Sequence, residues 1–565
     1  MEHKGIEITA FDVKHLPIIT VFAHKLGFIE EIDSRIKGEM EISPGRVVLA
    51  MVLDALSGRS PLFRLHEFFE GKDTELLLGE KIDPSQLNDR TLGRVLDRLY
   101  EYGTQKIFTP IAVKGCSLAR ITQCFFHADT SSIRVWGDFN PRIDDPFLLV
   151  RGYSKDKRPD LKQFIFSLLT VKGGLPIRFS CEDGNASDKT INHDVLSLIS
   201  DFLSSHSFPG IQAFIADSAL ITAESLQLLQ GVPFITRLPA NYNEHARVIS
   251  AALRADTWQE IGSLAQERGT LRRPLAHYRA YESDVVLYGQ DYRAIVYHSS
   301  AHDARRQKRL DRQLVQDKQA VAERCKKVAQ QEFFCEPDAL TAAQAIEPGQ
   351  FHTVRTRVVE HHSYGRGRPR LNGPREPVKT RYLVETEIVA DHHALTVLRQ
   401  EEGCFVLLAQ QLDPVGDSGL DARGVLESYK EQYVIEKNFE FLKDPMILDS
   451  LFLKTAQRIE ALGLVLVIAL LLWRLIQYLL REAIQETGRP VEGWKGKPTE
   501  KPTSFMMTTK FSSVNVIVIN GIRHIGRPLT DAQKGYLARL NLTADIFTAF
   551  PGKPPPPRVK KIQRE

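Results

Sequence analysis

The chain has 565 residues, more than one simple hydrophobic core accommodates, so roughly two to four domains are expected. Apolar residues make up 43% and charged residues 25%, an ordinary globular balance, and 74 Lys/Arg against 70 Asp/Glu leave a net charge of only +4. Bulk charge therefore supplies no basic surface, and one must come from local patches. The six cysteines form no C-x-x-C pair, which argues against both a zinc ribbon and a disulfide framework and fits a reduced, cytoplasmic setting.

Residues 1–118 read as a helical N-terminal domain, DNA-binding or dimerising. In "SPGRVVLAMVLDALSG" Ser43 caps a helix with Pro44 in its first position; in "DRTLGRVLDRLYEYG" Asp89 is the expected cap and Gly103 the stop. The texture changes over 119–243. "TQCFFHAD" reads as a strand ending in Asp129, and "QFIFSLLTV", Lys172-Gly173-Gly174 and "LPIRFSC" read as a β-hairpin. The helix "INHDVLSLISDFLSSHS", the strand "IQAFIAD" ending in Asp217, the helix "ALITAESLQLLQG" and the strand "VPFITRLP" follow. A hairpin followed by β-α units implies an α/β fold, a mixed sheet with helices packed on it.

Residues 244–405 break that rhythm and read as a β-rich insertion domain. The β segment "DVVLYGQDYRAIVYH" leads into a long helix carrying nine Lys/Arg against four Asp/Glu over 301–330, and then into "HTVRTRVVEHH", "KTRYLVETEIVA" and "CFVLLAQQ". Residues 406–485 return to the core with "DARGVLESYKEQYVIEKNFEFLK" and the apolar run Ala461–Trp473. That run is too short to span a membrane comfortably and is expected to be a buried core helix. The N-terminus lacks the apolar core of a signal peptide. Residues 486–565 form a mixed C-terminal region whose proline-rich basic tail, "GKPPPPRVKKIQRE", is expected to be disordered.

Asp129 and Asp217 share a context: each follows an apolar strand-like run and precedes a small hydroxyl residue, Thr130 or Ser218. If their strands are adjacent, the carboxylates converge and repel unless a cation joins them. Oxygen ligation suits Mg²⁺ or Mn²⁺. A third acid is sought in "YKEQYVIEKNFEFLK". On a continuous helix Tyr429, Glu436 and Lys443 form one stripe with Gln432 beside it; Glu431 lies about 200° from Tyr429. Glu440 shares the face of Glu436, so periodicity leaves those two tied. His127 and Cys124 read as packed strand residues, since hard cations prefer oxygen.

These residues resemble the DDE transposases of bacterial insertion sequences, in the IS-four superfamily. The family's third acid sits in a Y-x2-R-x3-E-x6-K pattern, and Tyr429, Gln432, Glu436 and Lys443 match its spacing. Gln432 stands where the family has arginine and brings no charge. "HADTSS", "ADSAL", "GYSKDKRPDLKQF" and "GNASD" also look like the family, and the resemblance spans about 1–485.

The resemblance implies an RNase H-like core interrupted by the insertion, and it breaks the tie in favour of Glu436. Asp129, Asp217 and Glu436 would then be the catalytic ligands of two Mg²⁺ or Mn²⁺ ions about 4 Å apart, with Asp129 bridging. Tyr429, Gln432 and Lys443 would contact DNA. The implied activity is cutting at inverted-repeat ends and joining of the 3′-OH to target DNA, by a homodimer in an end complex at the nucleoid and with no membrane. A nuclease without strand transfer and a non-catalytic DNA-binding regulator are the alternatives. Two further contacts with DNA are expected: Arg366 and Arg368 of "YGRGRPR", which resembles a minor-groove hook, and the helix residues Arg305 and Arg309, placed to track phosphates.

Overall fold

The computed structural model describes residues 7–551 except 59, 122, 138, 153–157, 159, 187–209, 265–274, 301–303, 366–376, 393–394, 397–400, 402, 411, 413–418 and 444–452. The chain divides into two compact units, one of residues 1–236 with 410–565 and the other of 237–409. The expected "INHDVLSLISDFLSSHS" helix and proline-rich tail lie outside the described residues.

The first unit opens on a strand rather than a helix, β1 (Ile8–Asp12). Helices then follow closely. Ser43 caps the helix Pro44–Ala55 by accepting from the Arg46 amide, as its sequence indicates. The cap of the helix Asp89–Tyr102 is Asn88, not Asp89: its Oδ1 accepts from Arg90 and Thr91, and Asp89 occupies the first helical position. There its negative charge still faces the positive end of the helix dipole.

Five strands form a mixed sheet in this unit, flanked by helices: β2 (Gln123–Val135), β3 (Lys162–Val171), β4 (Leu175–Glu182), β5 (Gly210–Ala216) and β6 (Phe234–Arg237). Their order is β4-β3-β2-β5-β6. β4, β3 and β2 are antiparallel neighbours, whereas β5 runs parallel to β2 and β6 parallel to β5. The β3–β4 hairpin turns on Lys172–Gly174, where Gly173 and Gly174 take φ of 76° and 74°. A Cβ at either position would also run into a neighbour, Tyr478 at Gly173 and Val434 at Gly174. Between β5 and β6 the expected single helix is split into a 3-10 turn at Ser218–Leu220 and a short helix, Ala223–Leu228.

In the second unit, β7 (Gln259–Ser263), β8 (His277–Leu287), β9 (Gln290–Ser299) and β12 (Cys404–Gln410) form antiparallel neighbours in the order β12-β9-β8-β7. The segment read as one β run is thus a hairpin, turning at Tyr288-Gly289 with both residues at positive φ. The helix Ala304–Ala329 and the helix Glu336–Gln344 cover one face of a second hairpin, β10 (His352–Ser363) with β11 (Lys379–Ala390). Val358, Val384 and Tyr382 pack there against Ala339 and Ala343. Asp317, on the long helix, accepts from the Gln350 and Phe351 amides and pairs with His352 at 2.8 Å, which fixes the start of β10.

After the second unit the chain re-enters the first through the helices Ala422–Lys430 and Tyr433–Leu442, then the helix Ala456–Thr487. The last is longer than the apolar run suggested. It is long and apolar enough to cross a membrane, yet 94% of its most apolar window is buried inside the unit. It packs on β4 and on the N-terminal helices, so it is the core helix that its sequence suggested. Leu464, Val467, Ile468 and Leu470 are fully buried, each contributing about 2 kcal/mol of apolar burial. After the small β13–β14 pair (Val491–Glu492 with Pro498–Thr499), β15 (Asn515–Ile519) pairs with β16 (Ile522–Ile525) and with β1, Ile8 opposite Ile519. The C-terminal region and the N-terminal domain therefore share a sheet, where the sequence suggested separate segments.

One buried polar chain ties the returning helices to the sheet. Asn438, fully buried, donates through Nδ2 to the Gly174 carbonyl (2.9 Å) and accepts through Oδ1 from Arg474 Nε (2.5 Å). Burial, reinforced by Arg481, lowers the Arg474 guanidinium to about 10, which still leaves it charged at neutral pH. Asn438→Ala strands a buried cation and a buried carbonyl, and should cost about 3 kcal/mol in urea denaturation. Combining it with Arg474→Met should recover most of that loss; a double variant as weak as the single one would contradict this account.

Candidate active site

β2 and β5 set the geometry. Their parallel register pairs Phe126 with Phe214 and His127 with Ile215. Carried two residues on, it places Asp129 level with Asp217, on neighbouring strands roughly 4.8 Å apart. Side chains alternate along a strand, so both aspartates lie on the face that carries His127 and Ile215. Helix Tyr433–Leu442 packs on β2, and Leu442 shares a packing gap with Ile133, Phe164 and Phe166. Ile133 is on the Asp129 face by the same alternation, so the helix lies over the carboxylate pair's side of the sheet.

The two aspartates are held differently. Asp217 follows β5 directly and caps the 3-10 turn, its Oδ1 accepting from the Ala219 amide at 3.0 Å. Its carbonyl accepts from the buried Thr236 hydroxyl of β6 at 2.8 Å. Asp129 is not at a strand end. β2 continues to Val135, pairing Thr130–Val135 with β3, and what stops near Asp129 is the β5 ladder. Asp129 thus sits in a notch where one neighbour leaves and the other continues, with Oδ1 accepting from the Thr130 amide at 2.8 Å. Both aspartates are half-buried.

The third element departs from the expected continuous helix. Glu431 and Gln432 form a turn between two helices, and the amides of Gln432, Val434 and Ile435 bond three residues back, to Tyr429, Glu431 and Gln432. Such a 3-10 turn advances about 120° per residue instead of 100°. Over three residues the extra rotation of about 60° moves Tyr429 from about 20° on one side of Glu436 to about 40° on the other.

Downstream of that turn, Ile435, Asn438, Phe439 and Leu442 point inward. Glu436 is exposed in the helix's first turn, a favourable place for an anion. Glu440 is exposed and paired with Lys437 at 2.6 Å. Lys443 closes the helix, half-buried like Tyr429 and Gln432. Among the described residues, no three His, Cys, Asp or Glu side chains are gathered closely enough to hold a metal ion.

Glu431, set aside on the continuous-helix geometry, is the glutamate the turn carries toward β2: its Oε2 is 4.0 Å from His127 Nε2. Although half of its side chain stays exposed, desolvation raises its carboxyl above the ordinary range, opposed by Lys172 and aided by Glu427. A signal for it does exist in the sequence: it lies four, seven and eleven residues before the inward-facing Ile435, Asn438 and Leu442. His127 is buried, as read from the sequence, and neither ring nitrogen has a hydrogen-bond partner. The side chain of Cys124 lies outside the described residues, as do Arg366 and Arg368. Arg305 and Arg309 fall on the backbone of the long helix of the second unit, with their side chains outside the description.

With this geometry in place, residues 8–113 match the family model of DUF4277, a domain of unknown function. A comparison with curated proteins finds no match. The matched segment begins at β1 and ends within the helix Thr104–Leu118, ahead of both aspartates.

His127 also sets a pH dependence. Burial lowers its imidazole to about 4, against 6.5 in the unfolded chain. Its contribution is complete above about pH 6.5 and is lost as pH falls toward 4, because the unfolded chain takes up the proton first. Between pH 7 and pH 4.5, His127→Leu should lose about 2 kcal/mol less stability than the parent in paired urea melts. Equal losses would show that the ring is not buried neutral.

Proposed function

We propose that this chain is a DDE-type DNA strand transferase that cuts DNA ends and joins the freed 3′-OH to target DNA. The observation that carries this reading is the β2–β5 register, which, continued two residues past its last pair His127–Ile215, would level Asp129 with Asp217 on one face of a mixed sheet. An antiparallel hairpin leading into parallel β-α strands supports an RNase H-like core, and the 173-residue span of 237–409 is the interruption expected of an insertion. The domain matched over 8–113 is one found in transposase-like proteins, which supports the same reading.

Two half-buried carboxylates are oxygen donors of the kind hard divalent cations take, and the His127 imidazole two residues from Asp129 is buried. Asp129 and Asp217, completed by Glu436, would hold Mg²⁺ or Mn²⁺, which when bound supplies an activated nucleophile and a stabilised leaving oxygen. The chain's own residues do the rest. The β3 ladder and the Asp217 turn hold the two carboxylates rigidly. The half-buried Lys443 would offset phosphate charge as a point cation, and Tyr429 and Gln432 would hydrogen-bond the DNA backbone. Hydrolysis at an end leaves a 3′-OH and a 5′-phosphate. That hydroxyl then displaces a 3′-oxygen in target DNA, so the number of phosphodiester bonds is conserved in the joining step. Duplex ends and target are the partners, engaged by a homodimer.

The test is cleavage and strand transfer on DNA carrying the ends of the encoding element, with Mg²⁺ present. Asp129→Asn, Asp217→Asn and Glu436→Gln should each lose at least about 10³-fold in cleavage while still binding the ends. Glu440→Gln should stay near the parent. A dead Glu431→Gln beside an active Glu436→Gln would move the third acid to the turn. Cleavage without joining would leave a hydrolytic nuclease, and end binding without either would leave a regulator.

A further inference from the structure

One exposed patch of the first unit includes none of the residues of the proposed catalytic face. It is built on the β13–β14 hairpin and the helix that follows, Ser504–Lys510. The hairpin loop is Gly493-Trp494-Lys495-Gly496-Lys497, closed by the Gly493 amide on the Lys497 carbonyl (2.7 Å) and the Lys497 amide on the Trp494 carbonyl (3.2 Å). Lys495 takes φ of 56° there, a left-handed backbone that a residue with a Cβ adopts at a cost. The base of the loop is fixed, because the buried Tyr536 donates its hydroxyl to the Glu492 carbonyl at 3.0 Å. The helix is fixed as well: the buried Ser504 hydroxyl donates to the Trp473 carbonyl at 2.7 Å, and Met506 and Met507 are buried. On these two supports Trp494 and Phe505 stand side by side, their ring centroids 6.1 Å apart and inclined at 49°, yet they are 48% and 58% exposed. Large aromatic side chains ordinarily put most of their surface away from water.

The charge around the rings is one-sided. Residues 489–510 hold five Lys/Arg and two Glu. Glu492 is taken by Lys510 at 2.6 Å, while Lys495, Lys497 and Lys501 are exposed and have no ion pair among the described residues. Planar rings stack on planar partners, and free ammonium groups take anions. A polymer that offers both in every repeat is a nucleic acid, and its base faces are open only where it is unpaired. We propose that Trp494 and Phe505 form a stacking platform for the bases of single-stranded nucleic acid, with Lys495, Lys497 and Lys501 meeting its phosphates. An anionic membrane fits less well, because the same stretch exposes no Leu, Ile, Val or Met to enter the acyl region. The rings are held in place before any strand arrives, so little ordering opposes binding. This site stands independently of the strand-transfer reading.

Fluorescence anisotropy on the full-length protein in EDTA, which withholds divalent metal from the proposed catalytic face, tests it. The probes are labelled oligothymidylate and oligouridylate of about 20 nucleotides, an abasic deoxyribose-phosphate strand and a duplex of the same length. Trp494→Ala should weaken binding of the two oligonucleotides by about tenfold or more, while Trp494→Phe keeps most of it. The abasic strand and the duplex should change by less than about twofold, since neither offers a free base face. A loss confined to one sugar assigns the platform to that nucleic acid. Replacing Lys495, Lys497 and Lys501 together by Ala should make the slope of log K against log salt shallower by about 2 on the single strands. All of these side chains are exposed, so each variant should keep the parent's circular dichroism spectrum. Should Trp494→Ala fail to fold, Phe505→Ala on the other support should show the same selective loss. Undiminished single-strand binding, an equal loss on the abasic strand, or an unchanged salt slope would overturn the proposal. So would Trp494-dependent binding to phosphatidylserine vesicles in place of the oligonucleotides.

Discussion

The Gly174–Asn438–Arg474 chain is the constraint on which the rest of the first unit depends. A hairpin turn, a short helix and a long core helix each contribute one buried polar group to it, joined by two hydrogen bonds through Asn438. Because the helix Tyr433–Leu442 is anchored there, its phase is fixed, and so is which glutamate faces which way. Apolar packing alone would tolerate a few degrees of rotation; a buried guanidinium with one amide oxygen to meet does not. The two left-handed glycines at 173 and 174 belong to the same constraint, since the hairpin must turn tightly enough to present a carbonyl to Asn438.

The candidate carboxylate pair depends on a different principle, the mixing of strand directions. A parallel neighbour that stops and an antiparallel neighbour that continues create a notch midway along β2. One acid is then held by ladder hydrogen bonds and the other by its own turn. Neither depends on a long flexible loop. Glu436, the proposed third acid, is different in kind: it sits on an exposed helical turn beyond a 3-10 break.

Much of this architecture was legible because its signals are local. The β3–β4 hairpin follows from a Gly-Gly turn between apolar runs, the β10 and β11 strands from β-branched alternation, and the Ser43 cap from one residue type before a proline. What the sequence did not disclose depends on partners far along the chain. Whether β2 ends at Asp129 is decided by β3, some thirty residues later, and not by the strand's own residues. Glu431 was set aside because it was measured against Tyr429 and not against the buried Ile435, Asn438 and Leu442, whose helical spacing it shares. The apolar run 461–473 marked the wholly buried centre of the core helix, while its ends, in contact with water, look like any amphipathic helix. The cap at Asn88 was missed by a single residue because Asn and Asp serve equally well there.

The pairing of β1 with β15 has a consequence for how the protein is made. During synthesis β1 finds its partner only when residue 515 and those after it have emerged. At roughly 5–20 residues per second that interval is on the order of half a minute to two minutes. Throughout it, the nascent chain carries an unmatched sheet edge with Ile8 and Phe11 on it. The second unit, built wholly from consecutive residues, can fold in the meantime. Closure of the first unit therefore waits on the whole of the second, whose residues lie between the two strands that must meet.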